Sequence, residues 1–205
     1  MGAVNQTKTR TLFLAASASL VLLTGACSSD TDSTSPATTT SSSASVSADA
    51  ASSGTCPTAA PDSAATPEWT LAGDTGSIAV VGSTNAAAPS VTVEAPFSVA
   101  ESQVKTLTVG DGPVVADDAE VSVCYLGVNG RDGSTFDSSY ERGEPVDFPL
   151  DGVVAGFQKA IAGQTVGSTV AVAVTSADGY PSGQPQAGIE PGDSLIFAIS
   201  ILSAS

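Results

Sequence analysis

The chain has 205 residues, with 6 Lys+Arg against 21 Asp+Glu and no histidine, for a formal net charge of −15. Nucleic acid and anionic membrane surfaces are poor partners for that balance. The missing imidazole excludes Ser-His-Asp and Cys-His nucleophilic sites, His-ligated metals and a histidine general base. No GxxxxGK phosphate loop is present, and Gly110 and Gly112 do not extend into a GxGxxG fingerprint, so nucleotide chemistry has no support.

The segment Met1 to Arg10 carries Lys8 and Arg10 and no acid, and an uncharged stretch rich in Leu, Ala and Val follows from Thr11 to Ala26. That is the layout of an export signal over residues 1–26, too short for the about 20 apolar residues of a membrane span. The run Leu22-Leu23-Thr24-Gly25-Ala26-Cys27 resembles the lipobox of bacterial lipoproteins, with Thr24 departing from the common Leu. Cys27 is then the lipid anchor, and the protein is expected outside the cytoplasm, held to the outer face of the bacterial cell membrane through acyl chains alone. The alternative is an ordinary cleaved signal in which Cys27 is incidental. On either reading the mature chain has a net charge of −17, because Lys8 and Arg10 leave with the signal.

From Ser28 to Thr66 every residue except Val46 and Cys56 is Ser, Thr, Ala, Pro, Gly or Asp, which leaves almost nothing to bury. Residues 27–66 are therefore expected to form a disordered tether, whose root-mean-square span as a flexible coil is roughly 35 Å. Trp69 is the first aromatic residue after the signal, and strand-like runs begin at Ile78–Val81 and Val91–Val93. Residues 67–102 read either as a strand extension of the following domain or as a spacer.

Beyond Gln103 the alternation is clear. Val121, Val123 and Tyr125 occupy one face of a strand, with Cys124 on the other; Val146, Phe148 and Leu150 alternate similarly, as do Val170, Val172 and Val174. A last strand carries Leu195, Phe197, Ile199 and Ile201, and turn signals stand at Asn129-Gly130 and Asp132-Gly133. One short helix is indicated by Val154, Phe157 and Ile161, with Gly163 suited to close it in a left-handed conformation. The class is α+β, a mostly antiparallel sheet on one short helix. Cys56 and Cys124 remain after the lipid site in a compartment where disulfides persist; they either bridge or leave Cys56 free in the tether.

The segments Val123-Cys124-Tyr125-Leu126-Gly127, Gly133-Ser134-Thr135-Phe136-Asp137-Ser138-Ser139 and Arg142-Gly143-Glu144-Pro145 resemble the early strands of FKBP-type peptidyl-prolyl isomerases. The likeness continues through Val153-Val154-Ala155-Gly156-Phe157, Gly167, Gly179-Tyr180 and Ile189-Glu190-Pro191-Gly192 to Phe197, over residues 103–205. It implies a twisted antiparallel sheet curled around the helix, with an apolar pocket between them. Position by position it implies catalytic roles for Tyr125, Phe136, Asp137, Phe157, Tyr180 and Phe197, and substrate-binding roles for Arg142, Val146, Phe148, Val153, Val154 and Ile189. Asp137 in an aromatic cluster needs a partner, for which Arg142 is the candidate.

The implied activity is rotation about Xaa-Pro bonds in exported, proline-containing polypeptides, by a monomer without metal or cofactor. The resemblance further suggests the Tyr180 hydroxyl and the Val154 N–H as donors to substrate carbonyls. Three departures from the family stand out: Phe157 where Trp is common, Val146 where Phe is frequent, and Gly188 where a second aliphatic residue is usual. These favour a competing reading, a pocket that grips proline-containing segments without useful turnover.

Overall fold

The computed structural model describes residues 54–205. The signal expected over residues 1–26, the expected Cys27 anchor and the part of the expected tether up to residue 53 lie outside the described residues. Two antiparallel sheets make up the domain. The smaller contains β1 (Trp69–Ala72), β2 (Thr75–Val81) and β3 (Ser90–Ser98), in chain order. The larger is built from β4 (Gln103–Thr108), β5 (Glu120–Asn129), β6 (Thr135–Ser138), β7 (Val146–Pro149), β8 (Thr169–Val174) and β9 (Leu195–Ala204). Its strand order is β4-β8-β9-β5-β6, with β7 pairing the first half of β5 while β6 pairs the second. Helix α2 (Ala155–Ile161) crosses the concave face, and a one-turn helix, α1 (Ser139–Arg142), follows β6 directly.

The larger sheet is buried on both faces, and its sequence shows why. In β8 the valines Val170, Val172 and Val174 point at α2, and Ala171 and Ala173 point away from it. In β9 Leu195, Phe197, Ile199 and Ile201 face the helix, whereas Ile196 and Ala198 face outward. The outward alanines leave room for a second layer, filled by Ile78 and Val80 of β2 and Phe97 of β3. Strands β1 to β3, within residues 67–102, thus pack on the face of the larger sheet turned away from α2.

Helix α2 is seated close against β8 because Gly156 has no side chain. A Cβ there would lie 2.3 Å from Val174 Cγ1. Phe157, Ala160 and Ile161 form its buried stripe, and Gly163 (φ 77°) turns the chain out of the helix as its position predicted.

The expected alternation in β5 holds, but its outer face is covered. Cys124 is 1% exposed, because Cys56 reaches back to it in a disulfide with a Cα–Cα distance of 5.7 Å. The Cys56 N–H donates to the Gly143 carbonyl, and the Ala88 N–H donates to the Ala59 carbonyl. The tether expected to run to Thr66 is thus shorter, with residues from about Cys56 onward docked on the domain. Of the two alternatives left open for Cys56, the bridge is the one found, and the docking rests on that covalent bond and on main-chain hydrogen bonds, neither of which needs apolar side chains.

Candidate functional site

Between α2 and the larger sheet lies an open cleft of about 370 Å³. Its floor is Phe157, 5% exposed, which meets three aromatic neighbours edge to face: Tyr125 at 5.6 Å, Phe148 at 5.5 Å and Phe197 at 5.1 Å between ring centroids. Phe136 stands against Phe197 at 5.6 Å in the same geometry. Such edge contacts are worth about 0.5–1.5 kcal/mol each beyond area burial, so the five rings hold one another in fixed orientations.

Each wall follows from local sequence. Phe136 reaches the cleft because Gly127, which pairs with the adjacent Asp137 across β5 and β6, has no side chain; a Cβ there would come within 2.6 Å of the Phe136 ring. Val146 and Phe148 line the cleft from β7, and Asp147 between them does not. A 3-10 turn over Leu150–Gly152 then swings Val153 and Val154 over the cleft before α2 begins. Tyr180 closes the far side. Its loop is tied to α2 by the Gly156 N–H, which donates to the Asp178 carbonyl, and by Lys159 Nζ, 2.8 Å from Asp178 Oδ2.

Asp137 is the one carboxylate in the wall. The Tyr125 hydroxyl donates to its Oδ2, and Arg142 Nη1 lies 2.6 Å from its Oδ1. Arg142 is delivered by α1, where the Ser138 hydroxyl accepts the Glu141 N–H at the start and Gly143 (φ 73°) ends the turn. Burial alone would push the Asp137 carboxyl up; the bonds from Tyr125 and Arg142 outweigh it and hold the group below the usual carboxylate range. Tyr125 is displaced in the opposite sense, pushed up to about 12 by burial and then by the adjacent Asp137. At neutral pH the wall therefore carries a neutral phenol, a carboxylate and a guanidinium in fixed order.

Tyr125, Phe136, Asp137, Val146, Phe148, Val153, Val154, Phe157, Tyr180 and Phe197 all border the cleft, as expected. Two expected residues do not. Ile189 is 2% exposed and packs in the core, because the turn at Gly188 (φ 70°) carries it inward. Arg142 reaches the cleft only through Asp137. Gly152 also borders it; the sequence reading passed over that residue, for which adjacency to Val153 was the available signal.

A second unforeseen feature is the anchorage of the loop after Tyr180. Asp193, 8% exposed, accepts from Asn129 Nδ2, Arg131 Nε and the Glu190 N–H, while Arg131 Nη2 donates to the Gly188 carbonyl. Neither the Tyr180 hydroxyl nor the Val154 N–H has a protein acceptor among the described residues. No group of three or more Cys, Asp or Glu suited to a metal ion is found among the described residues.

Residues 112–202 match the family model described as FKBP-type peptidyl-prolyl cis-trans isomerase. A probable FK506-binding protein of Corynebacterium glutamicum is 36% identical over 104 residues, covering 49% of this chain and 85% of that protein. The chain belongs to the FKBP-type peptidyl-prolyl isomerases. An FK506-binding protein of Streptomyces anulatus is 33% identical over 107 residues, 51% of this chain and 86% of the relative. The FKBP-type 22 kDa isomerase of Escherichia coli K12 is 34% identical over 100 residues, and there the match spans about half of each protein, 49% and 48%. The cleft lies within the matched FKBP-type segment. Cys56 and the β1–β3 sheet precede it.

Proposed function

We propose that this FKBP-type isomerase accelerates prolyl rotation in exported polypeptides at the outer face of the bacterial cell membrane. The observation that carries the reading is the pairing of an aromatic cleft with two uncommitted donors, the Tyr180 hydroxyl and the Val154 N–H, on its rim.

The Xaa-Pro bond rotates over a barrier of about 18–20 kcal/mol, because resonance makes the C–N bond partly double. The planar amide is the more dipolar form, so water favours it over the twisted one. A prolyl ring set on Phe157, between Tyr125, Phe136 and Phe197, leaves that solvation behind. The free donors then hold the substrate's flanking carbonyls without reorganising. Asp137, already neutralised by Arg142 and Tyr125, offers a fixed dipole in the wall rather than a proton. Each 1.36 kcal/mol taken from the barrier is about tenfold in rate. No covalent intermediate or proton transfer enters.

The test is cis-to-trans relaxation of a short Xaa-Leu-Pro-Phe peptide, followed without a coupling protease. Wild type is expected well above background and Tyr180→Phe about tenfold lower, the value of one lost hydrogen bond in the transition state. Equal rates in both would remove Tyr180 from the mechanism, and background rates from folded wild type would remove catalysis. The smaller side chains at Phe157, Val146 and Gly188 favour the second reading, a module that holds proline-containing segments. Tight peptide binding without turnover is its signature.

The location is supported by the signal-like residues 1–26, by Cys27 in a lipobox-like setting and by a disulfide of the kind that persists outside the cytosol. Incorporation of labelled fatty acid by the wild type, lost in Cys27→Ala, is the expected result; equal labelling would refute the anchor.

A further inference from the structure

Tyr125 stands on β5, paired along its length with β9, but Asp137 and Arg142, which face it, sit on pieces of chain that cannot hold themselves in place. Strand β6 has four residues and pairs with β5 across a register shift between Gly127 and Val128. Helix α1 is a single turn, far below the length at which a helix is stable alone. The Asp137–Arg142 pair cannot supply the missing order, because its side chains are 39% and 49% exposed and such pairs contribute little.

Both ends of α1, and β5 at the residue before Tyr125, are instead tied to the chain around Cys56, which lies outside the family-matched segment. Cys124, the residue before Tyr125, is bonded to Cys56. The fully buried Ser139 Oγ accepts the Tyr125 N–H at 2.8 Å and lies 3.4 Å from Cys56 Sγ. The Cys56 N–H donates at 3.2 Å to the carbonyl of Gly143, the residue that ends α1 directly after Arg142. One short segment thus touches β5 beside Tyr125, α1 at its first residue and α1 at its end.

We propose that Cys56, through its bridge to Cys124 and its main-chain bond to Gly143, is a positioning residue for the Tyr125–Asp137–Arg142 group and hence for one wall of the cleft. The functional consequence rests on the isomerase reading; the structural one does not. Stability is a poor measure of this role, since a bridge closing a loop of this length stabilises a fold wherever it sits. The informative readouts are turnover and the ionisation of Tyr125, which depends on burial and on the nearness of Asp137.

The experiment compares the full chain with its Cys56→Ala/Cys124→Ala variant, with loss of the bridge verified by mass after alkylation. Both carry Tyr140→Phe, because Tyr140 packs against the bridge and would obscure the titration. Opening the bridge is expected to lower kcat/KM for the prolyl peptide about tenfold, as loosened positioning does. It is also expected to move the highest tyrosine midpoint, seen in ultraviolet absorbance, from about 12 toward the ordinary value of about 10. Turnover within about twofold of the bridged Tyr140→Phe reference together with an unmoved titration would overturn the proposal. If the double variant does not hold its fold, Ser139→Ala decides with the bridge intact, and unchanged turnover and titration there overturn it equally. Background turnover from wild type would sink the isomerase reading alone, leaving the tyrosine titration to decide the positioning role.

Discussion

The Phe136 ring lies across Gly127, occupying the space where any side chain at that position would stand; a Cβ would be 2.6 Å from its Cζ and 2.8 Å from its Cε2. The glycine two residues after Tyr125 is therefore a steric requirement of the cleft wall rather than a turn residue.

Gly127→Ala must push the ring off its edge contact with Phe197. The expected cost is about 1–3 kcal/mol, typical of overpacking, and urea unfolding measures it. A parallel fall in prolyl turnover is expected because the displaced ring narrows the cleft, and turnover unchanged in the destabilised variant would show that Phe136 is not needed.

The half-buried Tyr125 and the buried Tyr140 should respond oppositely to loss of their hydroxyls. Tyr125→Phe removes the donor to Asp137 and is expected to cost about 1–2 kcal/mol, reduced from the full charged-bond value because Asp137 is 39% exposed. Tyr140→Phe removes a hydroxyl that is buried without a hydrogen-bond partner and should cost nothing or stabilise. Urea midpoints for the two variants check the contrast.

The same two phenols are pushed up to about 12, so the native state binds their protons more tightly than the unfolded chain. That contribution is complete below about pH 10 and is lost as pH rises from there toward about 12. The wild-type urea midpoint is expected to fall over this interval, and by less in Tyr125→Phe/Tyr140→Phe.

For Asp137 the sign is reversed. Its carboxyl is held below the ordinary value, so its stabilising contribution is present above about pH 4 and lost as pH falls through the lowered folded value. Asp132 and Asp178 are lowered too and titrate in the same region, which makes the difference between wild type and Asp137→Asn the useful quantity. That difference in urea midpoint should be greatest near neutrality and vanish toward about pH 2; a difference independent of pH would mean the carboxylate charge contributes nothing.

The loop after Tyr180 offers a test away from the aromatic wall. Asp193→Ala leaves Asn129 Nδ2 and the Glu190 N–H without their acceptor and frees Arg131 from its buried partner. A loss of about 3 kcal/mol is expected by urea unfolding. A loss below about 1 kcal/mol would show that solvent replaces the carboxylate.

The sequence by itself determined β5, β7, β8 and β9 of the larger sheet and the helix on Phe157 and Ile161, while the aromatic cleft was legible only through the family resemblance. Period-two alternation in Val121–Tyr125 and in Leu195–Ile201 is a local record of which side chains face a core. The FDSS run and the residues around Tyr180 fixed the family in the same local way. Tertiary structure alone decided the rest. The cysteine count left a Cys56–Cys124 bridge and a free Cys56 both open, and only the fold, which brings positions 68 apart together, decided for the bridge. Ile189 looked like a pocket residue until the left-handed turn at Gly188 carried it into the core. Ala171 and Ala173 gave no hint that they carry a second sheet, because a small side chain is neutral about its surroundings until another layer packs on it. Arg131 and Asp193 are polar residues far apart in the chain, and the sheet brings them together; charge in a sequence says what must be solvated or paired, and only the fold says with what.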